Sequence, residues 1–275
     1  METQLEIEQA DVQEPSDQMQ DQTTTPKSTE AEPKQTRKKA VLRPKAVHTY
    51  DTIVVGAGIS GIAAAYKMKQ VGYQDYLVLE KAERVGGTWR DNNYPGCGCD
   101  VPSALYSFSL APSHQWSHLF AKQPEILSYL DQVVEQFELQ DKIRFQHELL
   151  SAKWSEEAGI WQLETSQGAY QARTVIFSTG PITEPSLPKI KGIEGFKGEM
   201  FHSARWKHDY DLTGKRVAVI GTGASAIQFI PQIQPLAKEL IVFQRTAPWV
   251  LPKADMQLNA TVKSLVAKFP MIQQG

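Results

Sequence analysis

Two glycine fingerprints constrain this chain more than any other feature, and each is followed at the same distance by a charged residue of opposite sign. The first is Gly56-Ala57-Gly58-Ile59-Ser60-Gly61, with Glu80 nineteen positions after Gly61. The second is Gly221-Thr222-Gly223-Ala224-Ser225-Ala226, with Arg245 nineteen positions after Ala226. Each lies between an apolar, β-branched run and a helical run, the setting that a dinucleotide-binding turn requires. Glycines there permit a tight turn and let main-chain N–H groups approach a pyrophosphate at the helix N-terminus. The residue at the end of the second strand reads the adenosine ribose. A carboxylate accepts its hydroxyls and repels a 2′-phosphate, whereas a guanidinium attracts that phosphate. The pattern therefore predicts FAD at Gly56, Gly58, Gly61 and Glu80. It predicts NADPH at Gly221, Gly223, Ser225, Ala226 and Arg245, with the Thr246 hydroxyl beside the phosphate.

The runs around the fingerprints give an α/β reading with two Rossmann-like units. Thr52 to Val55 reads as a buried strand, Ile62 to Val71 as a helix and Tyr76 to Leu79 as the second strand of a βαβ unit. An amphipathic helix starts at Gln123-Pro124-Glu125, with Pro in its first turn. Short strands follow at 143–145, 149–154, 160–164, 170–172 and 174–178. The second unit has strands at 216–220 and 239–243. Between them a helix from Ala226 to Ile233 is expected to be shortened or kinked by Pro231. A final helix is expected from Met256 to Phe269. Residues 1–48 are rich in Gln, Glu, Thr and Lys and poor in aromatics. Such a segment has little to bury against the entropy of ordering, so a disordered tail is expected.

Composition excludes several classes. The net charge is −2, which gives no nucleic-acid footprint. No stretch approaches eighteen apolar residues, so no membrane span is expected. Seven acidic residues precede the first base, against a mitochondrial presequence. The two cysteines, Cys97 and Cys99, are too few for a disulfide framework and fit a reducing, cytoplasmic setting. Two thiols without a neighbouring His make no tetrahedral metal site, and no metal is expected.

Three further stretches carry a family resemblance. Gly86-Gly87-Thr88-Trp89, with Asn92 and Tyr94-Pro95-Gly96 leading to Asp100, is similar to the flavin-side segment of the class B flavoprotein monooxygenases. Phe196, Gly198, His202 and Trp206 match that family's F-x-G-x-x-x-H-x-x-x-W signature. Ser178-Thr179-Gly180 resembles its A-T-G strand end. Within the family the chain resembles the Baeyer–Villiger type most closely. The resemblance implies an NADPH-dependent FAD enzyme that inserts one atom of O2 into a ketone through a C4a-peroxyflavin. It adds Gly87, Thr88, Trp89, Asp100 and Tyr106 to the FAD-binding set. Asp100 would lie at the flavin's reactive edge, and His202 would couple the linker to the flavin chemistry. Lys207 stands where the Baeyer–Villiger signature usually has Pro or Asp, so N- or S-oxygenation stays open as the alternative.

The resemblance also sets domain expectations: an FAD part over 49–185, a linker over 186–212, the first part of an NADPH part over 213–252 and the start of a helical insert over 253–275. The family's peroxide-stabilising Arg lies beyond that insert. The expectation is accordingly a shortened form with little turnover, or a nucleotide-binding fragment. A plain reductase is disfavoured, because Cys97 and Cys99 are spaced C-x-C where disulfide reductases of the superfamily carry C-x-x-C or a similar pair.

Overall fold

The computed structural model describes residues 48–268. The expected tail and the last residues of the expected insert lie outside the described residues.

Strand β1 (Thr49–Val55) is the centre of the molecule, and its last four residues are buried. It pairs in parallel with β2 (Tyr76–Leu79) on one side and with β6 (Gly168–Phe177) on the other. The sheet order is β3-β2-β1-β6-β5-β4, where β3 is Ile143–Arg144, β4 Leu149–Ser155 and β5 Ile160–Thr165. The β3, β2, β1, β6 half is parallel, and β5 and β4 continue it antiparallel. Parallel strands are covered on both faces, which is why β1 and β2 read as continuous apolar runs. Val54 and Val78 face helix α1 (Ile59–Gln70) and helix α3 (Gln123–Gln136), through Ile62, Ala65, Ile126, Leu130 and Val133. Ile53, Val55, Leu77 and Leu79 pack on Leu163 and Ala172.

Three expectations change. Residues 170–172 and 174–178 are not two strands: all but Ser178 belong to the single ten-residue β6. Its first half pairs with β5 and its second half with β1. Arg173, between the two expected strands, lies on β6 and pairs with Asp51 of β1 at the surface. Helix α1 begins three residues before the expected start, because the fingerprint's last glycine lies inside its first turn. The final helix, α5, is Ala260–Lys268 rather than starting at Met256. The main chain of Met256 accepts from Leu119 N–H, and Leu258 N–H donates to Ser117, so these residues are held extended against residues 117–119.

The second unit repeats the first on a smaller scale. Strand β7 (Arg216–Ile220) pairs in parallel with β8 (Glu239–Phe243), and α4 (Ala224–Ile233) lies between them in sequence. Pro231 falls in the last turn of α4, so the helix is ten residues long and continues two residues past it. Val217, Val219 and Leu240 pack beneath α4 with Phe229 and Ile233. Ile220, Ile241 and Phe243 point to the opposite face and stay partly exposed.

The tightest contact in the first unit is between Gly61 and the preceding turn. A Cβ at Gly61 would lie 1.8 Å from the Gly56 carbonyl oxygen. Overpacking of a closed site costs about 1–3 kcal/mol or more, so Gly61→Ala should lower the urea midpoint measurably. Gly195→Ala, with nothing within 4 Å, is the control and should stay within about 0.5 kcal/mol. Equal stability of the two variants would show that α1 can retreat from β1 freely.

Candidate functional site

The two fingerprint turns have the same geometry. Gly56 has φ +103° and Gly221 φ +102°. Gly56 N–H donates to Leu79 O at 2.7 Å, and Gly221 N–H to Phe243 O at 2.9 Å. The residue before each helix is a glycine in extended conformation, Gly58 (φ −78°, ψ −168°) and Gly223 (φ −74°, ψ −178°). Neither helix start has a side-chain cap. The first-turn N–H groups of α1 and α4 are thus left for an outside acceptor, at the positive end of the helix dipole. The protein itself explains why Gly61 has no side chain, but not why Gly223 has none, since nothing lies within 4 Å of a Cβ placed there. The open space and the unfilled donors suit an anionic group.

In front of α1 lies a cleft of about 520 Å³. Gly56, Gly58, Glu80, Gly87, Thr88, Trp89 and Tyr106 line it, with Phe177 at the end of β6 and residues 178–180 after it. It opens where the chain leaves β1 for β2 on one side while β6 flanks the other, the usual place for a ligand in an open parallel sheet. Short helix α2 (Thr88–Asp91) forms one wall. Trp89 is buried, and its Nε1 donates to the Tyr106 hydroxyl at 3.1 Å. Its carbonyl accepts from Gln123 Nε2 at the start of α3.

Glu80 is only 3% exposed. Its Oε2 accepts from Ala57 N–H at 2.8 Å, and its Oε1 accepts from Ala82 N–H at 2.9 Å and from Arg90 Nη1 at 2.9 Å. Arg90 in turn makes a bidentate pair with Asp91, at 2.8 and 3.1 Å. Burial disfavours the Arg90 charge, but the bonds to Asp91 and Glu80 outweigh it and push its pKa up. Glu80 is among the residues the sequence singles out, whereas Arg90 and Asp91 are not. The signal was available as a charged pair closing the Gly86–Asp91 segment. The triad sums to one negative charge, so the site still disfavours an additional phosphate near Glu80. Three of the carboxylate's four acceptor positions are used, which leaves one for a further donor.

The second site is more open. Arg245 and Thr246 follow β8 and are exposed, and Arg245 makes no ion pair among the described residues. Gln244 Nε2 donates to Thr222 Oγ1 at 3.1 Å, which ties the strand end to the glycine turn. Ser225 is partly buried and Ala226 is buried on α4.

Among the described residues no hydrogen bond or ion pair joins Asp100 and His202. Asp100 is exposed, accepts from Gln228 Nε2 at 2.8 Å and lies 3.6 Å from Lys253 Nζ. His202 caps a short 3-10 turn (Ser203–Arg205), its Nδ1 accepting from Ala204 N–H at 3.0 Å. That bond places the proton of the neutral ring on Nε2. Cys97 and Cys99 are free and buried. Each thiol donates to a main-chain carbonyl at 3.1 Å, Cys97 to Asn92 and Cys99 to Val101. Burial raises both thiol pKa values, so neither resembles an activated redox cysteine. No group of three or more potential metal ligands occurs among the described residues. None of the described helices is long and apolar enough to cross a membrane.

Residues 53–269 match the family described as Pyridine nucleotide-disulphide oxidoreductase. The chain belongs to that family. Within it, the resemblance to Baeyer–Villiger monooxygenases holds over most of the chain. It is 46% identical to a Baeyer–Villiger monooxygenase of Pseudomonas aeruginosa over 232 residues, covering 84% of this chain and 44% of that protein. It is 48% identical over 217 residues to a Baeyer–Villiger monooxygenase of Streptomyces coelicolor, covering 79% of this chain and 42% of that one. Among solved structures, OTEMO in complex with FAD and NADP superposes with a TM-score of 0.76 at 38% identity, over 84% of this chain and 45% of that one. The chain thus spans less than half the length of these relatives.

The Glu80 network generates a stability prediction. Glu80→Ala leaves Arg90 with its Asp91 pair and removes the acceptor of the Ala57 and Ala82 N–H groups. Leaving a buried donor unsatisfied costs about 1–3 kcal/mol. The loss should appear in urea unfolding without added nucleotide. A loss below about 1 kcal/mol would mean that water replaces the carboxylate.

Proposed function

We propose that the chain is the dinucleotide-handling part of an FAD-containing, NADPH-dependent Baeyer–Villiger monooxygenase acting on a ketone with O2. The observation that carries this reading is the repeated turn geometry, with a buried acidic network at one copy and, at the other, an arginine that makes no ion pair among the described residues. In this reading FAD belongs to residues 49–185 and NADPH to the part that starts at 213, with 186–212 as linker. The relatives' names and the FAD and NADP of the OTEMO complex support it.

Bound FAD would supply hydride acceptance from NADPH and transfer of one oxygen atom to the substrate. The chain's own residues do the holding. Uncapped N–H groups of α1, with Gly58, take the FAD pyrophosphate, and Glu80 uses its last acceptor position for the ribose. Gly87, Thr88, Trp89 and Tyr106 form the wall against which the cofactor lies. The N-terminus of α4, with Gly221, Gly223, Ser225 and Ala226, takes the NADPH pyrophosphate. Arg245 and Thr246 take the 2′-phosphate. Asp100 is assigned to the reaction centre as an oriented carboxylate, and His202 to the linker as a capping residue. The free cysteines fit a reducing compartment, and we place the chain in the cytoplasm.

Three measurements test the reading. The purified chain titrated with FAD should show a bound flavin spectrum, and its absence removes the first assignment. Arg245→Ala should weaken NADPH by about tenfold or more, the worth of a lost charge-assisted bond, and leave NADH within about twofold. Equal losses for both nucleotides would show that Arg245 reads no phosphate. A panel of ketones, amines and sulfides offered with FAD and NADPH then separates ester formation from N- or S-oxygenation.

A further inference from the structure

Segment 94–100 is hydrogen-bonded to helix α4 through the Gln228 side chain. Gln228 lies in the second turn of α4, close behind the uncapped helix start at Ala224. Its carboxamide makes four hydrogen bonds, the full capacity of that group. Oε1 accepts from the Tyr94 hydroxyl at 3.1 Å and from Gly98 N–H at 3.2 Å. Nε2 donates to the Gly98 carbonyl at 3.0 Å and to Asp100 Oδ1 at 2.8 Å. The two bonds to Gly98 fix the orientation. A main-chain N–H needs an acceptor and a carbonyl needs a donor, so a flipped amide would set like against like.

The backbones are also in contact. Gly96 has φ +79°, and a Cβ there would lie 2.6 Å from the Gln228 main-chain oxygen and 2.9 Å from Gln232 Cγ. Next along α4, Phe229 meets Tyr94 edge-on at 6.1 Å and Trp206 of the linker at 5.2 Å. The segment therefore has little room to slide on the helix while these contacts last. A short helix moves as a rod, so a ligand that settles the N-terminus of α4 also settles Gln228.

We propose that Gln228 is a positioning residue that transmits occupancy of the α4 N-terminus to Gly98 and Asp100. This rests on the reading of α4 as the NADPH-binding helix. The role needs both an acceptor and a donor on one side chain of this length. Asn is one methylene short. Glu would turn oxygen toward the Gly98 carbonyl and the Asp100 carboxylate. Ala removes the partner of Gly98 N–H and Gly98 O and leaves Asp100 with Lys253 at 3.6 Å.

Hydrogen exchange on the full chain, with and without NADP+, tests the proposal. In the unaltered chain NADP+ should slow exchange at Gly221–Ser225 and also across residues 96–101, by about tenfold, the effect of steadying one or two hydrogen bonds. In Gln228→Ala the fingerprint protection should persist while the protection across 96–101 falls to less than about twofold. Without nucleotide, Gly98 N–H should exchange faster in this variant than in the parent. Gly96→Ala approaches the same contact from the other side and should uncouple the two regions as well. Exchange in α1 reports whether each variant is folded. Loop protection that survives Gln228→Ala, or an unchanged Gly98 rate, overturns the proposal. Absence of protection at Gly221–Ser225 in the unaltered chain removes the NADPH reading instead, and the nucleotide-free Gly98 rate then decides whether the Gln228 contact holds the segment.

Discussion

Glu80 stands where β2 runs out, and its two oxygens receive hydrogen bonds from three separate stretches of chain. Ala57 belongs to the first glycine turn, Ala82 to the loop after β2, and Arg90 to α2. A carboxylate taken out of water is costly unless its acceptor positions are used. Here that demand organises the cleft. The turn after β1, the loop after β2 and the wall carried by α2 each donate to the same side chain. The residue that the spacing marks as a ribose reader is thus also the tie that gives the cleft its shape. A ligand hydroxyl arriving at Glu80 meets an acceptor whose position is already set, and little ordering is left to the binding step.

The second unit is built on the same turn but without such a tie. Arg245 is exposed, and among the described residues no buried ion pair braces the strand end. Position is supplied from outside the unit, by the contacts of Gln228, Phe229 and Gln232 with segment 94–100 and the linker. A two-stranded parallel sheet with one helix buries little by itself. It is therefore reasonable that its orientation depends on a neighbour and that polar contacts, which are geometrically exacting, set the register. The first site is fixed from within and the second from without.

Much of this was legible in the sequence because the strongest signals are local. Strands β2, β7 and β8 coincide with short β-branched or apolar runs bounded by polar residues and glycines. Helix α3 follows from Pro124 and its apolar periodicity. What was illegible depended on partners far along the chain. Arg173 falls between two expected strands until Asp51 is seen beside it on β1. Met256 and Gln257 look helical until residues 117–119 are seen to hold them extended. Arg90 and Asp91 carried a readable charge pair, but their link to Glu80 depends on a fold that brings positions ten apart into contact. Gln228 gave no signal at all, since one polar residue on a short helix is ordinary until four partners surround its amide.

The chemistry of the two cysteines has a practical side. Both thiols are buried, bonded to carbonyls and held protonated by their surroundings. A maleimide dye added to the folded chain would find little thiolate to attack. Cysteines introduced at exposed positions, one near Thr246 and one at the rim of the first cleft, would therefore label with little background. The native thiols, left in place, would make such a doubly dyed chain a ruler for the separation between the two nucleotide sites.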